Sequence, residues 1–434
     1  MAIAGLTLPE LSAYDPPVAG EGSLDPIGLA AISDRLADRL VPGIRSRMQR
    51  MRFVTATAVG ALACDGLGEV PAADQVSTPP ICFEWVVLEA FVRRLRPNEI
   101  PPGVPGVNKA RNVVARQQRL SAPTYLKGPK VFGFNGVYKP FSVDADIVDA
   151  NLEPAGRCAE LVREWEREND AEGFTDDVPR SNGATLRRDI RDAVRSALAN
   201  DHVTTKTGSW LFGRLAATFH PDHAHAAERH HLRMLLLSPH HEGRAELARL
   251  LANVGEIDDA REAGLLLAVR PQCSPSLGAV VDAVIAYERF AALADAVFRT
   301  LCSISYALGT KPMAPSNAAT HRTIVRGAKE LPSLFERAIE QMAAIDAIGQ
   351  MEQDLGELAI RRSPSELVEV VMGHHEQVQA HKPPNGKRPW FEPLRDGWVV
   401  RPSYGTPDEP VLDGRFIHPV RVAAVRRFLS DTAP

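Results

Sequence analysis

Between positions 277 and 301, the apolar residues Leu277, Val281, Val284, Tyr287, Ala291, Ala294, Phe298 and Leu301 follow one another at steps of four or three. That period, sustained for about seven turns, specifies an α-helix with a single apolar seam, and such a seam must be covered by neighbouring elements. The stretch is therefore the expected spine of a helical bundle. It also carries Asp282, Glu288, Arg289, Asp295 and Arg299, too many charges for a membrane span. With 434 residues, 44% hydrophobic and 24% charged, the chain has material for two to four domains and a sizeable core.

Helical periodicity dominates from 185 onward. Helices are expected at 186–198, 223–237 and 244–252, the last two split by Ser238-Pro239. Residues 311–317 break the pattern, and 331–360 and 365–380 supply two further helices, with Ser363 or Ser365 near the second cap. No segment repeats at a fixed period, which argues against a solenoid. Residues 1–22, rich in Pro, Gly and Ala, are expected to form an extended arm. A helix should follow, with Asp25 as N-cap, Pro26 at its first position, and Ile27, Leu29, Ile32, Leu36 and Leu40 on one face. From 382 the chain turns proline-rich and aromatic; Trp398-Val399-Val400 is a short strand and 421–429 a terminal helix, together a small cap.

The stretch 81–169 has its own character. It opens with the almost wholly apolar 81–92, whose polar positions Glu89, Arg93 and Arg96 fall on one narrow helical stripe. A stiff proline-rich turn at 97–105 precedes Val107, Ala110, Val113 and Val114 at helical spacing. Then come the glycine- and aromatic-rich 132–141, a short unit at 147–152, and a helix carrying Cys158, Leu161, Val162 and Trp165.

Helix, helix, helix, hairpin, helix resembles a winged helix-turn-helix module. Leu152-Glu153-Pro154-Ala155-Gly156, with Leu161 and Trp165 beyond, is similar to the end of a wing and the start of the closing helix. Residues 134–147 fall where such families carry the recognition helix. Pro140 departs from the pattern, because a helix interior loses a hydrogen bond at proline. A recognition helix would begin near Lys139 or be short, which leaves little direct base reading. The expected fold is mainly α: a helical bundle with a winged-helix-like module and a small β-containing C-terminal cap, divided 1–80, 81–178, 179–381 and 382–434.

Charge is unevenly placed in that module. Residues 81–140 hold ten Lys/Arg against three Asp/Glu, whereas 141–180 hold four against twelve. One face could approach phosphate while the other could not. The candidate nucleic-acid contacts are Arg111, Arg116, Lys127, Lys130 and Lys139, with Tyr138 as a backbone or stacking contact and Asn135 as the side chain suited to adenine. A second basic and aromatic stretch, Lys387-Arg388-Pro389-Trp390, could grip a backbone and stack a base, or else anchor the cap through Trp390 and Phe391. Arg45, Arg47, Arg50 and Arg52 stand ahead of a helix whose dipole they oppose. They either form ion pairs on a solvated face or meet phosphate or an acidic partner.

Seven of thirteen histidines lie between His220 and His241. Such density could hold Zn²⁺ or Mn²⁺ with Asp222 or Glu228, yet the spacing matches no strong ligand pattern and no metal is expected. The five cysteines are scattered and odd in number, as for reduced buried thiols. No basic stretch precedes an apolar run at the start, so no signal peptide is expected and the protein reads as cytoplasmic. Phosphate-binding loops, dinucleotide fingerprints and nucleophile elbows are absent from the sequence. These absences weigh against an enzyme, and no cofactor is expected.

Residues 133–140 and 387–391 are similar to uncharacterised bacterial proteins encoded beside helicases and nucleases in phage-defence loci. The resemblance implies a non-catalytic DNA-binding or scaffolding subunit of an anti-phage or restriction-type complex, with a helicase or nuclease as partner and no membrane. The alternatives are a metal-dependent nuclease or hydrolase built on the 220–241 histidines, and a purely protein-binding adaptor.

Overall fold

The computed structural model describes residues 25–204, 208–255, 258, 261–383 and 385–433; the arm expected at 1–22 lies outside them. The order begins α1 (Ala30–Leu40), α2 (Arg52–Cys64), α3 (Pro79–Arg94), α4 (Val107–Ala115), α5 (Pro129–Phe132), α6 (Phe134–Asp144) and α7 (Cys158–Glu168). It continues with α8 (Asn182–Asn200), α9 (Ser209–Thr218), α10 (Ala226–Leu236), α11 (Glu242–Ala252), α12 (Glu262–Val269) and α13 (Pro275–Leu308). Then come α14 (Pro315–Ala318), α15 (Arg322–Ala343), α16 (Met351–Ala359), α17 (Pro364–Ala380), β1 (Phe391–Leu394), β2 (Gly397–Val400) and α18 (Val422–Asp431). Among the described residues the two strands form one antiparallel sheet, pairing Phe391 with Val400 and Leu394 with Gly397. The fold is mainly α with a small β-containing C-terminal part.

The chain makes two compact units, each discontinuous in sequence. The first takes in the described residues up to Arg39 and Arg261–Val420; the second takes in those of 40–260 and those from Arg421 on. Of the four consecutive segments expected from the sequence, 81–178 lies within the second unit and the other three are divided between the two. Helices α8 to α11 belong with 81–178, not with the α13 bundle, and α18 leaves the C-terminal cap to pack on α10 and α11. Periodicity identifies a buried face but cannot name the element that covers it.

In the first unit α13 is the spine. Ser274 caps its start by accepting from the Leu277 N–H, Pro275 sits at the first turn, and Gly309 at φ 64° ends it. All eight residues of the apolar seam are buried, and the Tyr287 hydroxyl donates to the Leu29 carbonyl at 2.6 Å. Helix α15 lies along α13 and can approach closely because Gly327 has no Cβ; one there would sit 2.5 Å from a Val297 methyl. The sheet closes over Phe298, whose ring lies 4.8 Å from His375 and 5.5 Å from Trp390. Ser363 and Glu366 form a capping box on α17. The helix expected over 331–360 is instead α15 and α16, separated by a turn in which Asp346 and Gly349 adopt positive φ. The expected start at Pro26 also differs. Residues 26–28 form a turn, the Asp25 carboxylate accepts the Leu29 and Ala30 N–H groups, and the helix begins at Ala30.

The second unit is organised around α2, in which every residue except Leu62 is buried, and α3, buried continuously from Ile81 to Phe91. Where a helix starting near Lys139, or only a short one, is expected, α6 instead runs from Phe134 to Asp144. Phe134, Val137, Tyr138 and Phe141 recur at helical spacing and all are buried, so one face of α6 packs on α2. That burial outweighs the single backbone bond lost at Pro140, which lies inside the helix and not in its first turn. An antiparallel bridge between Val148 and Pro154 follows, before α7.

Candidate nucleic-acid interface

Helix α5 is four residues long and buries none of them. Gly128 precedes it, Pro129 occupies its first turn, and Gly133 separates it from α6. Gly133 is required there by space: a Cβ would stand 2.1 Å from Glu84 Oε1. The Glu84 carboxylate fills that position to accept the Tyr125 hydroxyl and the Asn135 backbone N–H at the start of α6. Burial pushes the Glu84 carboxyl up to about 7, against those hydrogen bonds, which lower it.

So positioned, α5 projects Val131 at 60% exposure and Phe132 at 44%. The Arg47 guanidinium lies 4.3 Å from the centroid of the Phe132 ring, a cation–π contact. Both residues border a groove of about 550 Å³ walled by the 97–105 prolines and lined also by Gln49, Asn108 and Arg111. The wall is stiff because prolines fix φ, and Gly103 and Gly106 take the left-handed turns between them. Arg111 braces it by donating to the Pro97 carbonyl at 2.9 Å.

The basic surplus of 81–140 divides into two groups. Arg93 and Arg119 are committed to the buried Glu89 carboxylate, at 2.6 and 2.7 Å, and Glu89 also accepts the Leu120 N–H. Arg96 lies beside Glu99. In contrast, the side chains of Lys109, Arg116, Lys127, Lys130 and Lys139 have no ion-pair or hydrogen-bond partner among the described residues; the first four are exposed and Lys139 is half-buried. Lys127 and Lys130 flank α5 directly. Part of the neighbouring acidic block is consumed internally: Asp144 meets Arg244 and His241, and Asp176 meets Arg163.

Two expected contacts are not available. Tyr138 is fully buried, its hydroxyl accepting the Gln49 and Arg50 N–H groups, because it sits on the packed face of α6. Asn135 is buried on the same helix and donates to the Pro80 carbonyl at 2.8 Å, so no adenine edge can reach it. Lys387 and Arg388 belong to the first unit; Arg388 is exposed and pairs with Glu392, and Lys387 is half-buried. Trp390 between them and the sheet is only 5% exposed, stacked on Tyr404 at 4.4 Å, which removes it as a base platform.

Of the four arginines ahead of α2, Arg52 is buried against Glu228 at 3.0 Å and donates to the His220 carbonyl. Arg50 pairs with Asp222 and Asp431. Arg47 is the exposed one at the groove. The histidines of 220–241 do not converge. His220 is buried on the Glu99 carbonyl and stacks on His223, while His241 meets Asp144. Among the described residues no three His, Cys, Asp or Glu side chains come together as a metal-ligand group.

Nothing in the sequence pairs Arg47 with Phe132 or sets the short α5 apart from α6. The four clustered arginines were the available signal. No described helix is long and apolar enough to cross a membrane. Compared with protein families, with curated proteins and with solved structures, the chain matches none.

Proposed function

We propose that the chain is a non-catalytic nucleic-acid-binding protein whose second unit holds a single strand of low sequence specificity along α5 and the proline-walled groove. The observation that carries this reading is the half-exposed Phe132 ring with Arg47 packed on it, flanked by Lys127 and Lys130 without partners. Lone exposed apolar residues are ordinary. An aromatic platform set among uncommitted cations is the arrangement that stacks a base and neutralises the adjoining phosphates. A single strand is favoured over duplex because α6 turns its recognition-length face into the core, leaving few side chains for a major groove.

The winged-helix reading of 81–169 is kept as a proposal, supported by the run of helices closed by the Val148–Pro154 bridge ahead of α7. Membership of a bacterial defence complex with a helicase or nuclease is likewise proposed, on the sequence resemblance alone. Anisotropy of a labelled single-stranded oligonucleotide, at about 50 and about 200 mM salt, tests the binding. Phe132→Ala should weaken it roughly 5- to 100-fold, the range of one lost base stack. Lys127→Glu/Lys130→Glu should flatten the salt dependence by about two units of log–log slope. Unaltered affinity in both variants refutes the reading. If the charge reversal instead releases a protein partner and spares DNA binding, the surface is an adaptor.

A further inference from the structure

The first unit contains a cavity of about 580 Å³ that the nucleic-acid reading does not use. Its floor is apolar and comes from α12, α13 and α15, through Leu267, Ile285, Ala292, Leu293 and Leu334. Its roof is the segment 410–417, which has no regular secondary structure. The roof is pinned at both ends. Glu409 is held by Arg322 at 2.8 Å and His321 at 3.4 Å. At the other end the Ile417 and His418 N–H groups and His418 Nδ1 all meet the buried Glu288 carboxylate. Between the pins the roof does not bury its own apolar side chains, and Val411 is 81% exposed.

The charges around this cavity are nearly all spent. Glu288 takes four donors, since Ser33 Oγ reaches it as well at 2.7 Å. Glu330 meets Arg326, Asp295 meets Arg299, and Asp413 meets Arg415. Arg289 remains: it lines the cavity, is exposed, and its side chain has no ion-pair or hydrogen-bond partner among the described residues. The unsatisfied chemistry is therefore apolar surface together with one guanidinium.

We infer that this cavity binds an amphipathic monoanion, an aliphatic chain ending in one carboxylate, with the chain on the apolar floor and the carboxylate on Arg289. The volume lies within the range of small-molecule sites, which combine an apolar lining with a few polar anchors. A guanidinium accepts a carboxylate through two parallel hydrogen bonds, which fixes the orientation of the chain. A dianion or a polar sugar would leave the floor wet, and a cation would oppose Arg289.

The experiment is calorimetric titration of the full chain with decanoate, decanol and acetate. Decanoate should bind, decanol roughly 10- to 100-fold more weakly, and acetate not measurably, since the loss of a charge-assisted pair has that size. Arg289→Gln, at an exposed position, should bring decanoate down to the level of decanol and leave decanol unchanged. Ala292→Phe, half-buried on the floor, should block both ligands; its melting curve reports whether it is folded. Absence of decanoate binding, equal binding of decanoate and decanol by the unaltered protein, decanoate affinity unchanged in Arg289→Gln, or binding of either ligand that survives Ala292→Phe in a folded protein overturns the inference.

Discussion

Replacing Gly133 with alanine adds one methyl group where the second unit has no room for it. The new Cβ would lie 2.1 Å from Glu84 Oε1 and 2.8 Å from its Cδ. At φ −75° and ψ 169° the Gly133 backbone already suits alanine, so no conformational penalty enters. The obstruction cannot swing aside cheaply, because Glu84 is fully buried and tied to Tyr125 and the Asn135 N–H. Displacing it sacrifices two hydrogen bonds at about 1–1.5 kcal/mol each. The strain of overpacking adds roughly 1–3 kcal/mol. Gly133→Ala should therefore cost about 3–6 kcal/mol, a large share of a typical stability of about 5–15 kcal/mol. Urea unfolding followed by tryptophan fluorescence measures it, with the buried Trp85 and Trp165 reporting on this unit. The decisive control is the same substitution in Glu84→Ala, where the obstruction is gone and the added cost should fall below about 1 kcal/mol. An equal cost in both backgrounds would show that the carboxylate is not what Gly133 accommodates.

Arg52→Met should cost about 3–5 kcal/mol in urea unfolding, because it strands the buried Glu228 carboxylate, while Arg52→Met/Glu228→Leu should recover most of that loss. Phe298→Ala should cost about 3–5 kcal/mol in the first unit, since its fully buried ring meets His375, Trp390 and Phe391. Burial holds His375 down at about 4, well below the ordinary 6.5, with Nδ1 on the Pro26 carbonyl and Nε2 accepting the Trp390 N–H. The unfolded chain then binds the extra proton first. This stability is complete above pH 6.5 and is lost as the pH falls toward 4, by a total on the order of 3 kcal/mol. A first unit whose urea midpoint, followed by exchange of the α13 amides, does not change over that window would contradict it.

The elements that could be read from the chain were those whose signal is local and long. The seam from Leu277 to Leu301 repeats often enough to outvote any single residue, and Ser363 with Glu366 spells its own helix start. Helix α6 was equally encoded, in the spacing of Phe134, Val137, Tyr138 and Phe141, but Pro140 in the same window suggested a later start or a shorter helix. Tertiary burial decided the matter, which also moved Tyr138 from a candidate contact to the core. The interrupted helix near 346–349 had a signal in Gly349, a residue suited to positive φ. The cation–π pair at the groove had none, because Arg47 and Phe132 are joined by the packing of α2, α3 and α6 and not by sequence distance. Basic composition marks the region; which cations are already committed to Glu89 depends on side-chain geometry.

The backbone passes from one unit to the other three times, near 40, 260 and 421. Neither unit can therefore be obtained by trimming the chain from its ends. A fragment spanning 40–260 would lack the Phe428 ring that packs on Phe141 at 5.2 Å and the Asp431 carboxylate that receives the Met51 N–H at 2.6 Å. A protease that cuts once near 260 would leave two pieces, each holding part of both units, and the buried contacts of α18 and α1 would keep them together after the peptide bond is gone. On the ribosome the same wiring sets an order of events. The second unit has most of its residues early yet cannot close until α18 has emerged, so its exposed seam on α10 and α11 must wait through the synthesis of nearly the whole first unit.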